Sequence, residues 1–196
     1  MPISNGIPWV QTYLGRQLRM PEFNGDAINL VETATVLSRI CRFGGRTEVF
    51  YSVAEHSVRC ALFVRDAGYS LFEQFYALNH EGDESLLGFD PPSPLLRLTP
   101  DLRQLKHAAH TAYMTRYGLP IEMPAIVKIA DAVLLSTEKR DLMKTEPMPW
   151  YSMPNPMPAT IVPWSMQEAA ERFLSLWHEL SPHGSPPSDP RGKESH

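Results

Sequence analysis

The sequence predicts an all-α domain, and three observations carry that prediction. Six amphipathic runs each start at a residue or pair that favours a helix N-terminus, no stretch alternates convincingly as a strand would, and the 19 prolines sit mostly outside the six runs. The 196 residues, 43% of them hydrophobic and 20% charged, are enough to bury one core without disulfide staples. One domain over residues 1–180 is expected, followed by a proline-rich tail at 181–196 that is expected to be disordered because it lacks apolar side chains.

The elements follow in order. From Asp26 to about Arg42, Ala27, Leu30, Ala34, Leu37, Ile40 and Cys41 form a helical stripe, with Asp26 as N-cap and Gly44-Gly45 as the stop. Ser52 opens the second helix and Glu55 completes a capping box; Ser70 and Glu73 repeat that signature for the third. Thr99-Pro100 starts the fourth, which runs to near Gly118, and Pro124 opens the fifth, through about Met143. Ser165 and Glu168 cap the sixth, which ends near Leu180. Between Pro147 and Pro163 six prolines accompany Trp150, Tyr151 and Ile161, the pattern of an extended loop wrapped over the body.

Charge and composition exclude several functions. A net charge of −4 leaves no basic footprint for a nucleic-acid backbone. Cys41 and Cys60 are too few for a disulfide framework and read as buried thiols. No signal-peptide pattern opens the chain, and nothing approaches the roughly 20 apolar residues of a membrane span, so a cytoplasmic protein with no membrane partner is expected.

Three predicted helices put a metal-competent side chain in an unexpected place. On the second, His56 shares a face with Val53, Cys60, Phe63 and Val64, while Glu55, Arg59 and Asp66 flank the opposite side. On the fifth, Asp131 shares a stripe with Val127, Leu135, Glu138 and Leu142, and Ile126, Ile129 and Val133 make the far side apolar too; the helix reads as central and Asp131 as buried. A buried carboxylate requires a cation, either a structural partner such as Lys128, Lys139 or Arg140 or a metal. Glu138, facing the same way, suits a supporting role. The third helix ends in Asn79-His80-Glu81-Gly82, where neighbours diverge by about 100° and share one ion only if the helix frays at Gly82. Taken singly, His56 reads as a core histidine, Asp131 as half of an ion pair and His80-Glu81 as a polar helix end. Together they offer two imidazoles and two carboxylates, a set suited to a divalent transition metal. His107 and His110, three apart on the fourth helix, read as solvated surface residues.

With those residues in place, the chain resembles the HD-domain phosphohydrolase superfamily, in particular its branch of bacterial 5′-deoxynucleotidases and phage enzymes that strip the triphosphate from dATP. The resemblance runs from about Trp9 to Leu180. It is anchored by Trp9-Val10-Gln11-Thr12-Tyr13, by SRICRFGGRTEVFYSVAEHSV, by HEGDESLLGFDPPSPLLRL and by KIADAVLLSTEKRDLM.

The resemblance implies an HD-domain bundle of about six main helices and one divalent ion, with Co, Mn, Zn, Mg, Ni and Fe all open. Its ligands would be His56, His80, Glu81 and Asp131. Glu84 matches a glutamate implicated in orienting water, and Asp90 matches an acidic residue of the same site if Phe89 is a one-residue insertion. Arg42 and Phe43 match the arginine and aromatic that contact phosphate and nucleoside; Trp9, Arg16 and Arg46 are further substrate candidates. Glu81 stands where the family has aspartate. The implied activity is hydrolysis of a nucleotide by metal-activated water, with an adenine deoxynucleotide mono- or triphosphate favoured and a homo-oligomer expected. Glu81 and the Phe89 insertion motivate the alternative, a catalytically impaired domain that binds a nucleotide or a partner protein.

Overall fold

Residues 3–4 and 6–182 are described by the computed structural model of the chain. They form a mostly helical fold. All but the first two residues of the expected disordered tail lie outside the described residues.

Among the described residues three short strands come first, where no strand was expected: β1 (Ile3–Ser4), β2 (Ile7–Gln11) and β3 (Gln17–Arg19), antiparallel in the order β1-β2-β3. Trp9 pairs with Arg19, Val10 with Leu18 and Gln11 with Gln17. Among the described side chains of β2 and β3, Val10 and Leu18 turn towards the core, too few residues to make a legible alternation. The Glu32 carboxylate pins the turn after β2 by accepting the Tyr13 and Leu14 amides at 2.7 and 2.9 Å.

The first predicted helix begins later and ends sooner than expected. Gly25–Ala27 is a separate 3-10 turn, and α1 spans Leu30–Arg39. Asn29, not Asp26, is its N-cap, accepting from the Val31 and Glu32 amides. Asn29 immediately precedes the core positions Leu30, Ala34 and Leu37, so it meets the capping geometry that Asp26 does not. The helix stops at Ile40 because residues 41 and 52 form a β-bridge; the Gly44-Gly45 pair belongs to a later 3-10 turn, Arg42–Gly45.

α2 (Val53–Asp66) is the central helix, packed against α1, α3 (Leu71–Asn79), α7 (Ala125–Leu142) and α8 (Met166–Leu180). Ser52 caps it by accepting from the Glu55 amide, but the reciprocal half of the expected capping box is missing. Glu55 instead turns inward, fully buried, where its carboxylate accepts from Arg59 at 2.7 Å and from the Trp164 amide at 2.8 Å. Its expected solvent position is therefore wrong: the 143–164 segment crosses over it. Ser70 and Glu73 do form the full capping box of α3, and Ser165 caps α8.

Two short helices were not expected from the sequence, α4 (Glu84–Leu87) and α5 (Ser93–Leu98), each too brief to establish a 3.6-residue period. Beyond them α6 (Pro100–Arg116) packs on α4 and α5. Trp177 of α8 closes the core against Phe75 and Tyr117, with ring centroids 5.5 and 5.7 Å away. Among the described residues no helix is long and apolar enough to cross a membrane.

Candidate metal centre

His56 projects from the first turns of α2 into the interior, with none of its surface exposed. Glu138, one turn before the end of α7 and equally buried, meets its Nδ1 at 2.6 Å. A carboxylate can only accept, so Nδ1 carries the proton and Nε2 faces the opposite way. His80 reaches the same point from the end of α3. Its Nδ1 lies 2.6 Å from the Ala77 carbonyl, which again can only accept, so His80 also presents Nε2. The two Nε2 atoms are 3.3 Å apart, and Asp131 Oδ1 is 3.2 Å from that of His56.

The donor set fits a metal ion. His56, His80, Glu81 and Asp131 each place one ligand atom within 4.8 Å of the others. Ligands about 2.0–2.2 Å from a tetrahedral ion lie roughly 3.5 Å from one another, close to the observed spacing. Each imidazole is oriented from behind by an acceptor, the usual support for histidine ligands. His80 is held below the ordinary histidine range, first by burial, and so keeps a bare Nε2. Burial and then Arg42 oppose charge on His56, yet Cys60, Glu138 and Asp131 together outweigh them and hold His56 well above that range.

Asp131 differs from expectation in one respect: its side chain is 37% exposed rather than buried. α7 lies at the edge, with Ile129 on the surface, so an apolar residue on the far side did not signal a central helix. Nor do the nearby lysines and arginine pair with Asp131; Lys139 binds Glu146 and Arg140 binds Asp141. Burial works against charge on Asp131, but His56, then His80 and Arg42, hold its carboxyl well below the carboxylate range.

The helix end behaves as expected. α3 stops at Asn79, and the Gly82 amide donates back to the Asn79 carbonyl at 2.9 Å, turning the chain so that His80 and Glu81 face one site. Gly82 has a further reason to be glycine: a Cβ there would collide with the ring of Tyr113. Tyr113 is fixed by donating its hydroxyl to Asn79 Oδ1 at 2.8 Å.

A second polar cluster joins the first through Glu81, and sequence reasoning missed its centre. Lys106 of α6 sets Nζ 2.9 Å from Asp83, 3.1 Å from Glu84 and 3.5 Å from Glu81. Nothing in the sequence distinguishes Lys106 from a surface lysine except its spacing from Leu102 and Leu105. His110, expected on the surface, is in fact half-buried; its ring faces Asp83 at 3.3 Å and the Ile121 carbonyl at 3.2 Å. His107 is exposed, as expected. Glu84 is buried, with Oε1 on Lys106 and Oε2 without a partner. Burial and then Glu81 push the Glu84 carboxyl well above its ordinary range. Burial also acts against Glu81, but Lys106, His80 and Arg42 keep it ionised.

Arg42 is buried between these groups, with Nε 3.3 Å from Glu138 Oε2 and an outer nitrogen 3.7 Å from Glu81 Oε1. Neither contact is aligned as a hydrogen bond, so Nε is held by the Glu138 ion pair without a hydrogen-bond partner. Phe43 follows in the left-handed region at φ 57°, and its amide donates to Asp90 at 3.0 Å. A non-glycine residue in that region is strained, and the Asp90 bond holds it there. The Phe43 ring rests near Trp150, centroids 6.5 Å apart. Beside this turn lies a cavity of about 590 Å³, lined in part by Arg39, Gly44, Arg46, Phe89 and Asp90. Arg46 donates to the Phe43 carbonyl and Arg16 to that of Asp26. Trp9 sits half-buried on β2, its indole N–H buried without a partner.

Fold and site together define a mostly helical protein with a candidate divalent-metal centre built from three separate segments of chain. The chain is 33% identical over 179 residues to the uncharacterized protein YfdR of Escherichia coli (strain K12), a match that covers 89% of this chain and 97% of that one. It belongs to the same family as YfdR. No model of a known protein family matches the chain.

Proposed function

We propose that this protein is a metal-dependent phosphohydrolase of the HD type, acting on a nucleotide and favouring adenine deoxynucleotide mono- or triphosphates. The observation that carries this proposal is the meeting of two buried imidazole Nε2 atoms with Asp131 and Glu81, each imidazole backed by an acceptor. His56, His80, Glu81 and Asp131 would hold the ion. When bound, it supplies positive charge that polarises a phosphoryl oxygen and acidifies water.

The chain's own residues support the remaining roles. Glu84 Oε2 is buried and unpartnered, and we assign it to orienting the attacking water by accepting its hydrogen. Arg42 carries charge beside Glu81 without an aligned bond at Nε, and we assign it to a phosphate oxygen. Phe43 and the neighbouring cavity, with Arg39, Arg46 and Phe89 in its walls, suit an anionic ligand that also bears a flat apolar ring. Trp9 and Arg16 are assigned no contact.

The test is phosphate release from a panel of dNMPs, dNTPs and ribonucleotides with added Mn²⁺ or Co²⁺, products separated by chromatography. His80→Ala and Asp131→Ala are expected to abolish turnover in a folded protein. Glu84→Gln should keep the ion and lose rate by about 100-fold or more. Stoichiometric metal with no release from any nucleotide would remove the enzyme function and leave a nucleotide- or protein-binding domain.

A further inference from the structure

One buried group beside the imidazole pair has no part in the proposed hydrolysis. Cys60 lies four residues after His56 on the same face of α2, with no exposed surface. Its Sγ is 3.5 Å from His56 Nε2. Sγ and the two Nε2 atoms lie within 4.8 Å of one another, a three-donor group distinct from the set that includes Glu81 and Asp131. A buried cysteine is most often a small apolar filler. This one faces two imidazole nitrogens, of which at least that of His80 is a bare lone pair.

We propose that the imidazole pair serves two alternative ligand sets: a hard one completed by Glu81 and Asp131, and a soft one completed by Cys60, which takes thiophilic cations of the Zn²⁺ and Cd²⁺ type. The inference rests on the metal centre of the proposed hydrolase. Thiolate favours soft or borderline ions, whereas carboxylates suit Mg²⁺ and Mn²⁺. Sulfur about 2.3 Å and nitrogen about 2.0–2.1 Å from a tetrahedral ion sit roughly 3.6 Å apart, near the observed separation. Binding on this side releases the thiol proton and the His56 Nε2 proton to solvent and forms one metal–sulfur and two metal–nitrogen bonds, with no change of oxidation state. An ion seated there uses both imidazoles, so it excludes Mn²⁺ from the carboxylate side.

The test titrates the metal-free full chain with Cd²⁺ and follows the ultraviolet sulfur-to-cadmium charge-transfer absorption, with Mn²⁺ affinity measured in parallel. The absorption is expected to saturate at one equivalent in the natural protein and in Cys41→Ser, and to be absent in Cys60→Val. Cd²⁺ affinity should fall at least about tenfold in Cys60→Val while Mn²⁺ affinity stays within about twofold. Cys60→Ser, whose hydroxyl is a poor soft ligand, guards against a folding defect in the valine variant and should behave alike. Stoichiometric Cd²⁺ without the sulfur absorption, or unchanged Cd²⁺ affinity in both variants, overturns the soft site and leaves the carboxylate site intact. A natural protein that binds neither Cd²⁺ nor Mn²⁺ overturns both.

Discussion

Glu138 is the residue whose role turns most directly into a measurement. It has no substrate contact in the proposed hydrolysis; it holds His56 Nδ1 at 2.6 Å and so fixes which nitrogen faces the centre. Glu138→Gln keeps the shape but weakens that orientation, and Mn²⁺ affinity should fall by about 10–100-fold, measured by titration of the metal-free protein. An unchanged affinity would mean that His56 is oriented by packing alone. A pH dependence follows from His56 itself. Its folded pKa lies above the unfolded value of about 6.5, so its proton stabilises the metal-free chain below that pH and is lost as pH rises through the folded value. An ion must displace that proton. Apparent Mn²⁺ affinity should therefore strengthen by about tenfold per pH unit from pH 6 upwards until the folded pKa is passed. A flat profile would place the ion elsewhere.

At the scale of elements, the end of α3 and the face of α6 fit each other closely. Gly82 lets the turn after Asn79 lie directly on the Tyr113 ring, whose hydroxyl is tied back to Asn79. Gly82→Ala would drive a methyl group into that ring, and because the ring is held, the cost should be about 1–3 kcal/mol, read as a lower denaturation midpoint. Denaturation unchanged from the natural protein would show that α6 yields freely. Most of this level was legible in the sequence. Ser70 with Glu73, Pro100, Pro124 and Ser165 marked four helix starts correctly, because a cap acts within a single turn of chain. α4, α5 and the strands were missed because two to six residues cannot display a period.

The whole molecule is held partly by a strap. The segment from Met143 to Trp164 returns across α7 and α2, fixed by Arg140 to the carbonyls of Met157 and Ala159 and by buried Glu55 to the Trp164 amide. Arg59 then stacks on Trp164 at 4.5 Å while bound to Glu55. Glu55→Ala leaves a mostly buried guanidinium and an amide without their acceptor. A loss on the order of 3 kcal/mol is expected, together with faster proteolysis between Pro147 and Pro163. Equal cleavage rates in the two proteins would mean that the prolines alone hold the strap.

Sequence by itself determined the helices that carry His56, His80 and Asp131 and the break that turns Glu81 beside His80, because capping and periodicity act over a few neighbouring residues. Only the tertiary structure decided that Glu138 stands behind His56, that Lys106 gathers three carboxylates and that Glu55 is interior. Those partners are separated by 20 to more than 100 positions along the chain, and no local rule couples side chains that only packing brings together.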